Sequence, residues 1–164
     1  MSLGIVDFDQ TTKYGDTALD LAIKNNKLES IEALLSGGAK IEKFDGTVLG
    51  VSSTPLILAV NLSKLEVVKL LLKYKPDVNI LDSLGYTPLQ NLFSKPRYNK
   101  VDLEIAKLLV EHGANIDVIT PDGKKLEDLV RKGKKPELID LLKECYAKNE
   151  EKQKNNITVS KSFV

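Results

Sequence analysis

"STPLILAVNLSKLEVVKLLLKYKPDVN", residues 53–79, is an amphipathic stretch whose skeleton is written again on either side of it. "GDTALDLAIKNNKLESIEALLSGGAKIE" begins at Gly15, and "GYTPLQNLF", leading on to "LEIAKLLVEHGANID", begins at Gly85. Thr17, Thr54 and Thr87 stand 37 and 33 residues apart. A paired apolar element follows in each unit as Leu34-Leu35, Leu71-Leu72 and Leu109-Val110. Its distance from the threonine is 17, 17 and 22 residues, so the third unit carries five extra residues, placed by their Pro and polar content in "SKPRYNKVD" (94–102). A fourth, degenerate unit is aligned by Gly123, by Lys125 in the threonine position and by Leu142.

Each unit reads as helix, turn, helix. Thr54 and Thr87 suit N-caps, because a hydroxyl there accepts from an amide two or three residues on. Pro55 and Pro88 follow at the first helical position, where a missing N–H costs little. Apolar residues then recur at i, i+3 and i+4: Leu19, Ala22, Ile23; Leu56, Ala59, Val60; Leu89, Leu92, Phe93. In the fourth unit the set slips back by one, to Leu126, Leu129 and Val130, which predicts a slightly rotated helix. Second helices are marked by Leu28, Ile31, Leu34, Leu35 and by Leu65, Val68, Leu71, Leu72, and end at Gly37-Gly38 and Gly113 as glycine caps. Such a pair is too small to bury its own apolar stripe; stacked copies bury one another's.

These residues resemble ankyrin repeats: G-x-T-P-L, then an apolar Ala, then L-E-V-V-x-L-L and G-A-x-I-(D/N). The matches are best at 53–72 and 103–117, and the resemblance covers roughly 12–145. Ala18 in the Pro position, Asp20, Ile57 and Gln90 in the usual His slot, and Lys75-Pro76 for Gly-Ala are departures. The resemblance implies an all-α solenoid of stacked helix-turn-helix units with β-hairpin finger loops. Repeats fall at about 12–44, 49–81, 82–119 and 120–146, after an N-terminal cap segment, 1–11, in which Leu3, Ile5, Val6 and Phe8 cover the open face of unit one. It further implies that fingers and first helices line a concave face that binds other proteins. Carried onto this chain, the finger positions are Lys13, Tyr14 and Asp16 in unit one and Ser83, Leu84 and Tyr86 in unit three. The late first-helix positions are Lys24, Asn25, Asn61, Leu62, Ser94 and Lys95. Tyr14, Tyr86 and Leu62 are of the type that anchors interfaces, although Leu62 could instead close its own helix end.

The period between units one and two exceeds 33 by four, the excess falling within "KFDGTVLGVSS" (43–53). Asp45-Gly46 is a hairpin turn signal, so a finger insertion at 45–48 is expected, bearing Phe44, Val48, Leu49 and Val51. This finger either contacts a partner or folds back over units one and two. "RKGKK" (131–135) reads as solvated charge on a capping repeat, and His112 as a group meeting the negative end of its helix. The segment 147–164 is polar, predicting disorder or a brief helical extension; its last residues, Ser-Phe-Val, fit the carboxylate motif captured by strand addition only weakly.

With 24 basic and 23 acidic residues the formal charge is +1, which exerts no long-range pull on nucleic acid or anionic lipid. No apolar run approaches the roughly 20 residues needed to span a bilayer, and "MSLGIVDFDQ" lacks the pattern of a secretion signal. Cys145 is the single cysteine, which excludes an internal disulfide and any multi-cysteine zinc site. G-x-x-x-x-G-K-[ST], G-x-S-x-G, H-E-x-x-H and a dinucleotide fingerprint are all missing. The expectation is a cytoplasmic monomer (or one in the nucleus or a host-cell cytosol) with no catalytic residues, cofactor or metal. Its partner would be a protein, with no nucleic acid and no membrane. Adaptor, inhibitor and host-directed effector are forms this module could take, the last suiting a chain rich in Lys, Asn and Ile. The alternative is a self-associating scaffold, which light scattering at two concentrations separates from a monomer.

Overall fold

The computed structural model describes residues 7–42, 46–48, 51–132 and 136–161, with the backbone alone for 46–48, 51–52, 132 and 149–161. Its helices are α1 (Ala18–Lys24), α2 (Leu28–Ser36), α3 (Pro55–Asn61), α4 (Leu65–Lys73), α5 (Pro88–Ser94), α6 (Lys100–Glu111), α7 (Leu126–Lys132) and α8 (Pro136–Lys161). Strands β1 (Gly46–Val48) and β2 (Val51–Ser53) precede α3. Each odd-numbered helix packs on the even one after it, and the two kinds form separate rows: α1, α3, α5, α7 and α2, α4, α6, α8. The apolar sets read from the sequence meet between these rows in one continuous core. Leu126 and Val130 of the fourth unit are buried while Leu129 is half-buried, the rotation that the slipped set predicts.

Thr54 and Thr87 cap their helices as the sequence predicts, and Thr17 does the same for α1. Thr17 Oγ1 accepts from the Asp20 amide at 3.1 Å while the Asp20 carboxylate accepts from the Thr17 amide at 2.9 Å. Thr87 and Gln90 form the same reciprocal box, at 3.2 and 2.9 Å. Thr54 has only a long bond, 3.5 Å, from the Ile57 amide, since isoleucine has nothing to return. After α1 and α3 the chain turns through Asn26 and Ser63, both at positive φ, and enters the next helix. Pro96 occupies the corresponding place in unit three. There the chain leaves α5 through an extended Lys95 and restarts at Asn99, whose side chain caps α6.

Three fingers share one turn. Thr12, Asp82 and Thr120 each accept from the amide three residues on and donate to the carbonyl four residues on, and Gly15, Gly85 and Gly123 carry the positive φ that closes it. Only the second finger forms a ladder among the described residues, apart from a lone bridge between Ile119 and Lys125. Its pairs are Gly46 with Ser53, Thr47 with Ser52 and Val48 with Val51. The turn expected at Asp45-Gly46 is therefore not used: Gly46 is already a paired residue, and the ladder joins 46–48 to 51–53. Pairing in this register employs the hydroxyl and β-branched residues of both strands and delivers Ser53 directly to the cap of α3. A turn at Asp45-Gly46 would leave β2 unpaired.

At the ends, Phe8 packs on the core of unit one, and the Asp9 carboxylate takes the Lys40 amide at 3.2 Å; Leu3, Ile5 and Val6 lie outside the described residues. Helix α8 continues to Lys161, where composition predicted disorder or a short extension. Lys, Glu and Gln as far as Lys154 are good helix formers that extend a helix nucleated by packing, whereas propensity does not account for the Asn, Ile, Thr, Val and Ser that follow. The terminal Ser-Phe-Val lies outside the described residues. Gly85 has a φ of +82°, and a Cβ there would stand 3.0 Å from Pro121 Cγ. Gly85→Ala should therefore cost about 2 kcal/mol and Gly123→Ala, with open space around it, about 1 kcal/mol. Urea midpoints compared at unchanged slope test the ranking.

Candidate functional site

The candidate surface comprises the finger turns and the exposed side chains near the first helices. Asp82 and Thr120, which start the third and fourth finger turns, are buried, whereas Thr12, which starts the first, is exposed. Thr12 Oγ1 holds the amides of Tyr14 and Asp16, both at 3.3 Å, and Asp82 Oδ1 holds those of Leu84 and Tyr86, both at 2.9 Å. Tyr14 is thereby 72% exposed and Leu84 57% exposed. Lys13 extends over the Tyr14 ring, its Nζ 4.9 Å from the centroid. Ser83 is exposed beside Leu84, whereas Tyr86 is half-buried.

Several expected contact residues are engaged inside the molecule. Asp16 is buried and binds Lys24 Nζ at 2.5 Å, which ties the first finger to the end of α1. Asn25 caps α1 and returns its side-chain amide to the Leu21 carbonyl at 2.8 Å. Leu62 caps α3 and packs on the core, as the alternative for it held; Asn61 beside it is half-buried and Ser94 is exposed. Lys95 departs furthest from a solvent-facing contact. Its Nζ donates to the Val60 carbonyl at 2.7 Å, to Ser63 Oγ at 2.8 Å and to Asp102 Oδ1 at 2.8 Å. The Ser63 hydroxyl also donates to Asp102 Oδ1, at 2.7 Å. This cluster fastens the extra residues of unit three to unit two. Phe44 and Leu49 lie outside the described residues, as do the side chains of Val48 and Val51.

Among the exposed apolar residues that escaped the sequence reading are Leu21 on α1, Leu81 before the third finger turn and Ile119 (62% exposed) before the fourth. Leu81 and Ile119 occupy equivalent positions, six residues before Thr87 and Lys125. A signal for them existed. Asp82 and Thr120 must face inward to hold the turn, and in an extended chain the preceding side chain then faces outward. Together with Tyr14 and Leu84 they give the finger side an apolar character.

On the second-helix side, a groove of about 640 Å³ runs between α6 and α8, with Val110, Leu141 and Cys145 among its lining residues. Burial pushes the Cys145 thiol pKa up, away from the reactive thiolate. His112 caps α6 with Nδ1 2.8 Å from the Leu108 carbonyl. Arg131 pairs with Glu127 at 3.6 Å, and residues 133–135 lie outside the described residues. No group of three potential metal ligands occurs among the described residues, and no helix among them is long and apolar enough to cross a membrane.

A family model described as ankyrin repeats (3 copies) matches residues 47–120, and one described as ankyrin repeat matches 14–45. Similar curated proteins include an ankyrin repeat protein of fowlpox virus, 39% identical over 124 residues, which are 71% of this chain and 33% of that protein. An ankyrin repeat protein of Rickettsia felis is 36% identical over 105 residues, 62% of this chain and 45% of the relative. The ankyrin repeat protein YahD of Escherichia coli is 30% identical over 112 residues, 68% of this chain and 51% of the relative. The chain thus matches about half or less of the length of each of these three relatives.

Burial alone would raise the Asp102 pKa, but the bonds from Lys95 and Ser63 and the Lys95 charge hold it below the usual carboxylate value. A depressed folded value means that Asp102 supports the fold above about pH 4 and loses that contribution as pH falls through the folded pKa. Lys95→Met leaves a buried carboxylate without its cation and should cost about 3 kcal/mol at neutral pH. The variant should also lose less stability than wild type between about pH 5 and about pH 3, because burial then acts on Asp102 with less opposition. Denaturant unfolding across that range measures both effects.

Proposed function

The chain belongs to the ankyrin-repeat family, whose members generally bind other proteins, and we propose that it is a non-enzymatic module holding one partner protein on its concave face and finger tips. The observation that carries this reading is the set of large apolar side chains held outward by the finger turns, Tyr14 and Leu84 foremost. A monomeric protein gains nothing in stability from exposing them, and rigid aromatic and aliphatic side chains of this kind dominate binding energy at interfaces. Their neighbours Leu81 and Ile119 extend the same surface, and Lys13 and Ser83 give it a polar rim. Lys95, Asp16 and Asn25 belong to the framework that shapes it. Asn61 and Ser94 sit at its margin.

Adaptor, inhibitor and host-directed effector are uses of this one surface. The similarity to ankyrin repeat proteins of fowlpox virus and Rickettsia felis supports the host-directed use, with binding in the cytosol. Tyr14→Ala/Leu84→Ala removes two exposed anchors, one from each of two fingers, without touching the core. Capture of partners from the native cell or host should fall at least about tenfold, with an unchanged melting temperature. Retention of every captured partner by a folded double variant would overturn the placement of the surface.

A further inference from the structure

Helix α3 differs from its counterparts in the other repeats. Residues Pro55 to Val60 are all buried, whereas α1 and α5 each keep a polar capping residue at the third helical position. Asp20 and Gln90 close capping boxes there; Ile57 does not, so α3 forgoes a local hydrogen bond for an apolar side chain. One residue later, Leu21 is 40% exposed in α1 and Asn91 is half-buried in α5, but Leu58 is wholly enclosed. A helix apolar around its whole circumference is covered on every side. Helices α1, α4 and α5 pack on α3, and β1 and β2 lie against it as well. Two strands of three residues do not hold together alone in water, so the hairpin and α3 depend on each other.

We infer that the β1–β2 hairpin is a strap that closes the concave surface over the second repeat and divides the partner-binding face in two. One patch is Tyr14 with Leu21; the other is Leu81, Leu84 and Ile119. This rests on the reading of the concave face as the binding surface. A partner then meets the strap between the patches rather than α3, and has to reach across it.

Deleting Thr47–Gly50 removes four residues and restores the 33-residue spacing of Thr17 and Thr54. Leu58→Asn, which copies the residue of the third repeat, is made in the full and the shortened chain. In the full chain it should lower the melting temperature by about 5 °C or more, because an amide is then buried without a partner. In the shortened chain the same change should leave the melting temperature unchanged or raise it, and should remove binding of an apolar dye that the deletion creates. An equal loss in both chains would mean that α1 and α5 alone cover Leu58, and the strap would be overturned. Val48→Pro/Val51→Pro, which breaks the ladder at constant length, repeats the comparison if the deletion prevents folding. No partner enters these measurements, so their outcome is separate from that of the Tyr14 and Leu84 experiment.

Discussion

Seven- and nine-residue helices cannot cover their own apolar stripes, and that shortfall governs the structure. Leu56, Ala59 and Val60 are buried because α1 and α5 stand on either side of α3; Val68 and Leu71 are buried because α2 and α6 flank α4. Stability is shared between neighbours rather than held by any one unit, as in a one-dimensional array. The two rows leave one side of each first helix facing away from the second, and the fingers project beside it. The proposed binding surface is thus a by-product of how the core is assembled.

Polar residues fix the register of this array. Thr17, Thr54 and Thr87 set where each first helix starts, and the turn residues Thr12, Asp82 and Thr120 set how each finger meets it. Between units two and three, Asn79 uses both ends of its amide, donating to the Gly113 carbonyl at 3.1 Å and accepting from the Asn115 amide at 2.7 Å. The Lys95 cluster joins the same two units at the opposite end of their helices. Burial supplies the attraction between repeats, and these directional bonds decide their alignment.

The repeat was legible because its spacing, its caps and its apolar sets agree with one another. The hairpin was legible as an insertion but not in its register, since Gly46 and Gly50 each offer a turn and only packing against α3 chooses. Lys95 was misread because a lysine after a helix ordinarily reaches solvent. Here Pro96 forces an extended exit, and the side chain reaches Val60, Ser63 and Asp102. Leu81 and Ile119 were missed because they lie outside the helices, where a 3.6-residue period says nothing. For 147–164 composition offers disorder or a brief helical extension; α8 runs on to Lys161, further than the extension expected.

The two length variations lie at different places along the chain, one within the finger stretch 43–53 and one where α5 gives way to α6 (94–102). Copying errors that add residues are therefore screened by position: extra length in a helix would shift every later side chain off its partner, while extra length in a loop leaves the stack in phase. In this chain one such stretch carries the β1–β2 ladder and the other the Lys95–Asp102 ion pair.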